Sequence, residues 1–163
     1  MASDIFAKIG DIKGETQDDK HKDEIDVMSY SWGLSQTGTF AFGGGGGTGK
    51  AQFNDFNFTT NVSKASPMLF LACASGEHIK EATISVRKAG DNTGSKEDYL
   101  ILKMTDVMIS SYQTGGSSGA DRPTESVSMA YAKVEISYKP QNADGTFGAP
   151  ITAGWDLKAN TKV

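Results

Sequence analysis

The sequence predicts a mainly β fold: a small closed β-barrel of two packed sheets, one short flanking α-helix and an extended glycine-rich loop. Three observations carry this. Several segments alternate apolar with polar residues and then move the apolar residues to the opposite parity partway along. A side-chain period of two means that one slipped residue turns every later side chain to the other face, as a β-bulge or a barrel corner does. Only one stretch reads as a helix, and Gly-, Ser- and Asn-rich segments punctuate the rest as turns.

Strands are expected near residues 4–10, 23–33, 38–42, 51–59, 79–88, 98–112, 124–138 and 153–158. In the second of these the apolar positions are Ile25 and Val27, then Met28, Tyr30 and Trp32, so the phase slips at Val27/Met28. Phe53 followed by Phe56 and Phe58 repeats the slip. So do Leu100, Leu102 and Met104 followed by Val107 and Ile109, and Val127, Met129 and Tyr131 followed by Val134, Ile136 and Tyr138. The cleanest alternation is residues 80–88, which put Ala82, Ile84 and Val86 inward and Glu81, Thr83, Ser85 and Arg87 outward. Residues 89–94 have turn chemistry, and further loops are expected at 113–124 and 141–150. The helix starts at Ser66 as N-cap with Pro67 in its first turn and stops at Gly76. Met68, Leu69, Leu71, Ala72 and Cys73 give it an apolar side suited to a lid over one end of the core. Phe53, Phe56, Phe58, Leu100, Leu102, Met104, Met129 and Tyr131 are bulky enough to fill a small barrel.

Length and composition narrow the function. A chain of 163 residues fits one domain, residues 1–163, with a real core. A formal charge of −4 and only two arginines, Arg87 and Arg122, argue against nucleic acid as a partner. No apolar run approaches a membrane span, and residues 1–10 lack the apolar segment of a secretory signal, so synthesis in the cytoplasm without membrane insertion is expected. The sequons at Asn57 and Asn61 then read as chance, and the single cysteine, Cys73, as a small buried hydrophobe.

Motifs that resemble chemistry fail on context. Gly44, Gly49 and Lys50 have the spacing of a phosphate-binding loop, but Ala51 stands where a magnesium-binding hydroxyl is needed, and a strand follows where a helix is needed. Five consecutive glycines carry a high ordering entropy, which contact with a partner would offset. The Gly115-Gly116-Ser117-Ser118-Gly119 run matches a hydrolase elbow, yet it leads into a strand, and both histidines, His21 and His78, precede it. Those histidines read as solvated loop residues without zinc-ligand spacing, so no metal and no cofactor are expected. Adjacent carboxylates at Asp18/Asp19 and Glu97/Asp98 point to opposite sides of an extended chain and do not form an acid/base pair. Arg87 and Lys88 read as a solvated strand end or an ion pair to a neighbouring subunit. No enzymatic constellation remains. The alternatives are a monomeric barrel that binds a small ligand inside, or a hydrolase built on Ser117.

Ile9-Gly10-Asp11-Ile12-Lys13-Gly14-Glu15, Glu24-Ile25-Asp26-Val27 and Ser31-Trp32-Gly33 are followed by Gly49-Lys50, Ser66-Pro67, Ala72-Cys73, Arg87-Lys88-Ala89-Gly90, Tyr99-Leu100 and Gly154-Trp155. This order of elements, over almost the whole chain, resembles the haemolysin-coregulated protein (Hcp) family of bacterial type VI secretion. The resemblance implies a homohexameric ring around a channel, stacked into a tube that meets a trimeric spike protein and a contractile sheath. It also implies a subunit that leaves the bacterial cytoplasm by that system without a signal peptide, and a channel that holds effector proteins. On this basis Ser29 and Ser31 are candidate channel contacts, and residues 36–49 the segment that reaches a neighbouring ring. Its candidate stacking residues are Phe42, Gly43, Gly44, Gly45, Gly46, Gly47, Thr48 and Gly49.

Overall fold

The computed structural model describes residues 3–38, 49–88 and 97–163. It is mainly β with one short helix. In chain order the elements are β1 (Ser3–Ile9), β2 (Ile25–Asp26), β3 (Ser29–Ser31), β4 (Leu34–Ser35), β5 (Gln52–Phe53), β6 (Phe56–Asn61), α1 (Ser66–Ser75), β7 (Ile79–Lys88), β8 (Asp98–Gly115), β9 (Thr124–Tyr138), β10 (Ile151–Asp156) and β11 (Thr161–Lys162). The expected strand at 38–42, the turn at 89–94 and residues 42–48 lie outside the described residues, apart from Gly38 at the strand's start.

One sheet runs β11-β10-β9-β8-β7-β1-β2, and β6 joins the other half of the edge of β9 and carries β3. The pairings draw a branched path with three ends, β11, β2 and β3, not a closed ring of strands. The phase slip at Val27/Met28 lies where the ends at β2 and β3 approach. Ile25 and Asp26 pair with β1, whereas Ser29 to Ser31 pair with β6. Between them the Val27 N–H donates to Ile5 at 2.9 Å and the Met28 N–H to Thr59 at 2.8 Å. The burial follows the slip, with Ile25 and Val27 buried and Tyr30 and Trp32 packed on the core, except that Met28 is exposed.

The long strands β8 and β9 slip together. Thr105 lies opposite Lys133 and Val107 opposite Tyr131 in one register, so both strands turn one corner and stay paired. Met104 and Val107 are buried on one, Tyr131 and Val134 on the other. Asp106 sits at the corner with φ 54°, a left-handed conformation that a short polar side chain tolerates better than most. A true bulge follows, because Ile109 faces Met129 whereas Ser111 faces Ser128.

Phe56, Phe58, Leu102, Met104, Met129 and Tyr131 fill the core, with Phe53 packed at its margin and Leu100 half-buried. The Tyr131 hydroxyl donates to the Asn54 carbonyl at 2.8 Å and accepts from the Trp32 indole at 2.5 Å, which satisfies a phenol held in apolar surroundings. Ser66 is the first residue of the helix and not its N-cap. That position belongs to Ala65, which has helical dihedrals and no side-chain cap, while in the preceding turn the Ser63 N–H donates to the Ser66 hydroxyl and the Ala65 N–H to the Ser63 hydroxyl. Gly76 ends the helix at φ 65°, with its N–H and that of Glu77 on the Cys73 and Ala72 carbonyls. The helix lies against β8 and buries Ser66, Leu69 and Ala72. Met68, Phe70 and Leu71 are exposed and Cys73 is half-buried, so the expected apolar side covers the core with only part of its length.

Candidate functional site

The outer face of the sheet divides into two regions of opposite chemistry. Strand alternation aims Ser29 and Ser31 of β3 outward, and both are exposed. Pairing then extends them across four strands. Ser31 lies opposite Asn57, which lies opposite Ser128, which lies opposite Ser111. The next row is Ser29, Thr59, Ser126 and Gln113. The β8 bulge sets Ser111 and Gln113 in these rows. All eight side chains are uncharged, short or of medium length, and able to hydrogen-bond. The hydroxyls of Ser29 and Thr59 share a bond of 2.6 Å, and the Asn57 amide nitrogen donates to Ser128 at 2.9 Å and to Ser126 at 3.2 Å.

Toward β1 and β7 the same side of the sheet is covered. The segment between β1 and β2 folds over it and buries Thr16, His21, Ser85, Arg87 and Phe6, the last outside the main core cluster. Arg87 is therefore neither solvated nor turned toward a neighbouring subunit: its guanidinium makes a two-pronged bond to the Asp18 carboxylate, with Asp4 at 3.8 Å. It also lies 5.0 Å from the centre of the Phe6 ring, on which His21 stacks. His21 is likewise not a solvated loop residue. Its Nδ1 meets Glu24 at 3.1 Å and its Nε2 meets Asp98 at 3.0 Å. His78 is exposed, as expected. The Arg87 bond holds the Asp18 carboxyl down at about 2, and the same bond pushes the guanidinium up. Gly14 permits the fold-over, because a Cβ there would stand 2.2 Å from the Glu24 carbonyl oxygen. Sequence reasoning missed this clasp, since its segment has no periodicity.

The borrowed motifs find other uses. β5 and β6 follow Lys50, so no helix N-terminus stands there to cradle a phosphate. Residues 115–119 leave β8 in a hairpin that returns as β9, without the helix of a nucleophile elbow. Of the expected stacking residues, Gly49 is described and exposed, beside Gln36; Phe42 to Thr48 lie outside the described residues.

A family model described as "Type VI secretion system effector, Hcp" matches residues 6–138. The chain belongs to the Hcp family. It is 46% identical over 163 residues to Protein hcp1 of Pseudomonas aeruginosa, covering 99% of each chain. Among solved structures it is similar to one described as a type six secretion system protein, with TM-score 0.92 and 34% identity over 99% of this chain and 100% of the other. Hcp1 from Salmonella typhimurium is similar at TM-score 0.79 and 36% identity, with coverage of 99% and 100%. This places the protein in type VI secretion, as a tube protein of the Hcp type. Among the described residues, no helix is long and apolar enough to cross a membrane.

Proposed function

We propose that this Hcp chain is the repeating unit of a secretion tube: six copies close into a ring, rings stack, and the uncharged face lines the channel that carries effector proteins. In this reading a trimeric spike caps the tube and a contractile sheath surrounds and expels it, which takes the chain out of the bacterial cytoplasm. The observation that carries the reading is the bare face of Ser, Thr, Asn and Gln in a chain of this family. A wall that many different cargoes must pass gains from neutrality, because a charged wall would hold some cargoes and repel others.

Residues 25–31 act as one bent strand that closes the barrel, handing their hydrogen bonds from β1 to β6 across Val27 and Met28. The ring contact needs a heterologous interface whose rotation closes. β10 suits it: among the described residues β11 and the Val163 N–H reach only Gly154 to Asp156, and Ile151 is exposed beside the exposed Ile136 and Tyr138. An uncovered strand edge with apolar neighbours is a hazard in a monomer and is satisfied in a ring.

Negative-stain imaging of the purified protein tests this directly. Six-fold annuli are expected, and a uniformly monomeric sample at micromolar concentration would overturn the reading. Deleting residues 43–47 is expected to leave rings and shorten tubes; tubes of unchanged length would remove that segment from stacking. Ser31→Gln is expected to reduce cargo retained by intact rings, and unaltered retention would remove Ser31 from the cargo surface.

A further inference from the structure

We infer that the paired rows centred on Asn57 form a built recognition surface for uncharged, hydrogen-bonding stretches of polypeptide, and that Asn57 with Ser31 sets its preference. The inference rests on the face being open to cargo, as proposed above, and adds what the face selects.

Asn57 sits in the middle of the sheet face, flanked by β3 on one side and β9 on the other. Its amide nitrogen is committed to two hydroxyls, those of Ser126 and Ser128. These two bonds turn the amide nitrogen toward β9 and hold the side chain in one rotamer. Among the described residues the carbonyl oxygen accepts no hydrogen bond, which leaves it as an acceptor with two lone pairs. Ser31 lies opposite it, exposed, with a hydroxyl that both donates and accepts. Together they offer an acceptor beside a rotating hydroxyl, on Cβ atoms about 5 Å apart across the strand pair. Backbone N–H and C=O groups of an extended segment can pair with them, and so can Asn and Gln amides and Ser and Thr hydroxyls. The neighbouring row is less available, because Ser29 and Thr59 bond to each other.

Charge is absent from these rows, whereas it is paired elsewhere on the outer side, as between Lys103 and Glu81 at 3.5 Å. A surface that recognises by neutral hydrogen bonds gains nothing from long-range attraction, so its binding is nearly independent of salt. A surface that recognised a charged cargo segment would weaken steeply as salt rises.

The test uses the assembled protein and fluorescein-labelled short peptides, one of Gly, Ser, Asn and Gln, one rich in Lys and one rich in Glu, followed by fluorescence anisotropy. The neutral peptide is expected to bind best, with less than about a twofold change between about 50 mM and about 500 mM salt. Asn57→Leu, which keeps the bulk and removes the acceptor, is expected to weaken it by about fivefold to tenfold. Lys103→Ala, on the charged part of the sheet, is expected to leave it unchanged. Circular dichroism and denaturation of Asn57→Leu confirm that the variant folds; if it does not, Ser31→Ala is read in its place, with the same expected direction. Preference for either charged peptide, or equal binding by parent and folded variant, overturns the inference. Imaging of the same samples separates this from the tube reading. Rings without Asn57-dependent binding refute the inference alone, and Asn57-dependent binding by dispersed subunits refutes the ring alone.

Discussion

The Arg87 clasp and the Asn57 rows occupy the same side of one continuous sheet, yet one is sealed and the other bare. At the clasp, a segment without regular structure covers the strands, and the polar groups beneath it are partnered: Arg87 with Asp18, the His21 ring nitrogens with Glu24 and Asp98. At the rows nothing among the described residues covers the strands, and the eight side chains carry no charge. The difference teaches where each region's stability resides. A buried charge is tolerated only while its partner stays, so the clasp is brittle toward loss of either member. The open rows are held by the backbone ladder and by the core on the far side, so their outward side chains are free to serve another purpose.

Breaking the clasp is the largest expected effect. Arg87→Ala removes the partner of Asp18, the stacking cation on Phe6 and the packing of a long side chain. A loss of about 3–5 kcal/mol is expected from urea denaturation, with fast hydrogen exchange in residues 10–24. Gly14→Ala comes next, because its Cβ would meet the Glu24 backbone and not a side chain able to move. About 3 kcal/mol is expected, with the segment displaced and β3, β6 and β9 unchanged in exchange protection.

Acid acts on the clasp in a definite direction. The Asp18 carboxyl falls from the ordinary 3.8 to about 2 in the folded chain. Its contribution, about 2 kcal/mol, is therefore complete above about pH 4 and is lost as pH falls toward 2. Asp26 works the other way, since burial pushes its carboxyl up and protonation relieves it. The parent is expected to lose stability between about pH 4 and 2, and Asp18→Asn to start lower and show a shallower loss. Equal slopes for the two would show that the Arg87 bond does not govern acid unfolding.

How much of this the sequence disclosed depends on periodicity. β7 and β9 match the strands expected at 79–88 and 124–138, and the shared corner of β8 and β9 is visible as two parity slips. The burial of Ser85 and Arg87 is not visible, because alternation assigns them to the outer face and does not say what lies on that face. Ser66 reads as a cap from composition alone, whereas the structure uses it inside the turn with Ser63. Ser29 and Ser31 entered through family resemblance. Asn57, Thr59, Ser126, Ser128, Ser111 and Gln113 were missed, although each stands in a polar, alternating stretch. Their rows exist only once β3, β6, β9 and β8 are neighbours, and that order is a property of the topology, not of any one segment.

The smallest effect sharpens the comparison most. Ser85 and Ser128 are both serines on the outer parity of a strand, but Ser85 is buried beside Arg87 and Ser128 is only half-buried beside Asn57. At position 85 a lysine would place a second cation under the fold-over segment, where Arg87 already uses Asp18, and would force that segment off. At position 128 the lysine stem has room to run along the face with its ammonium in water, at the cost of one neutral hydrogen bond. Ser128→Lys is therefore expected to shift stability by no more than about 1 kcal/mol, against several for Ser85→Lys. Equal losses in urea denaturation would mean that the Asn57 rows are covered in solution, and their openness to cargo would fall with them.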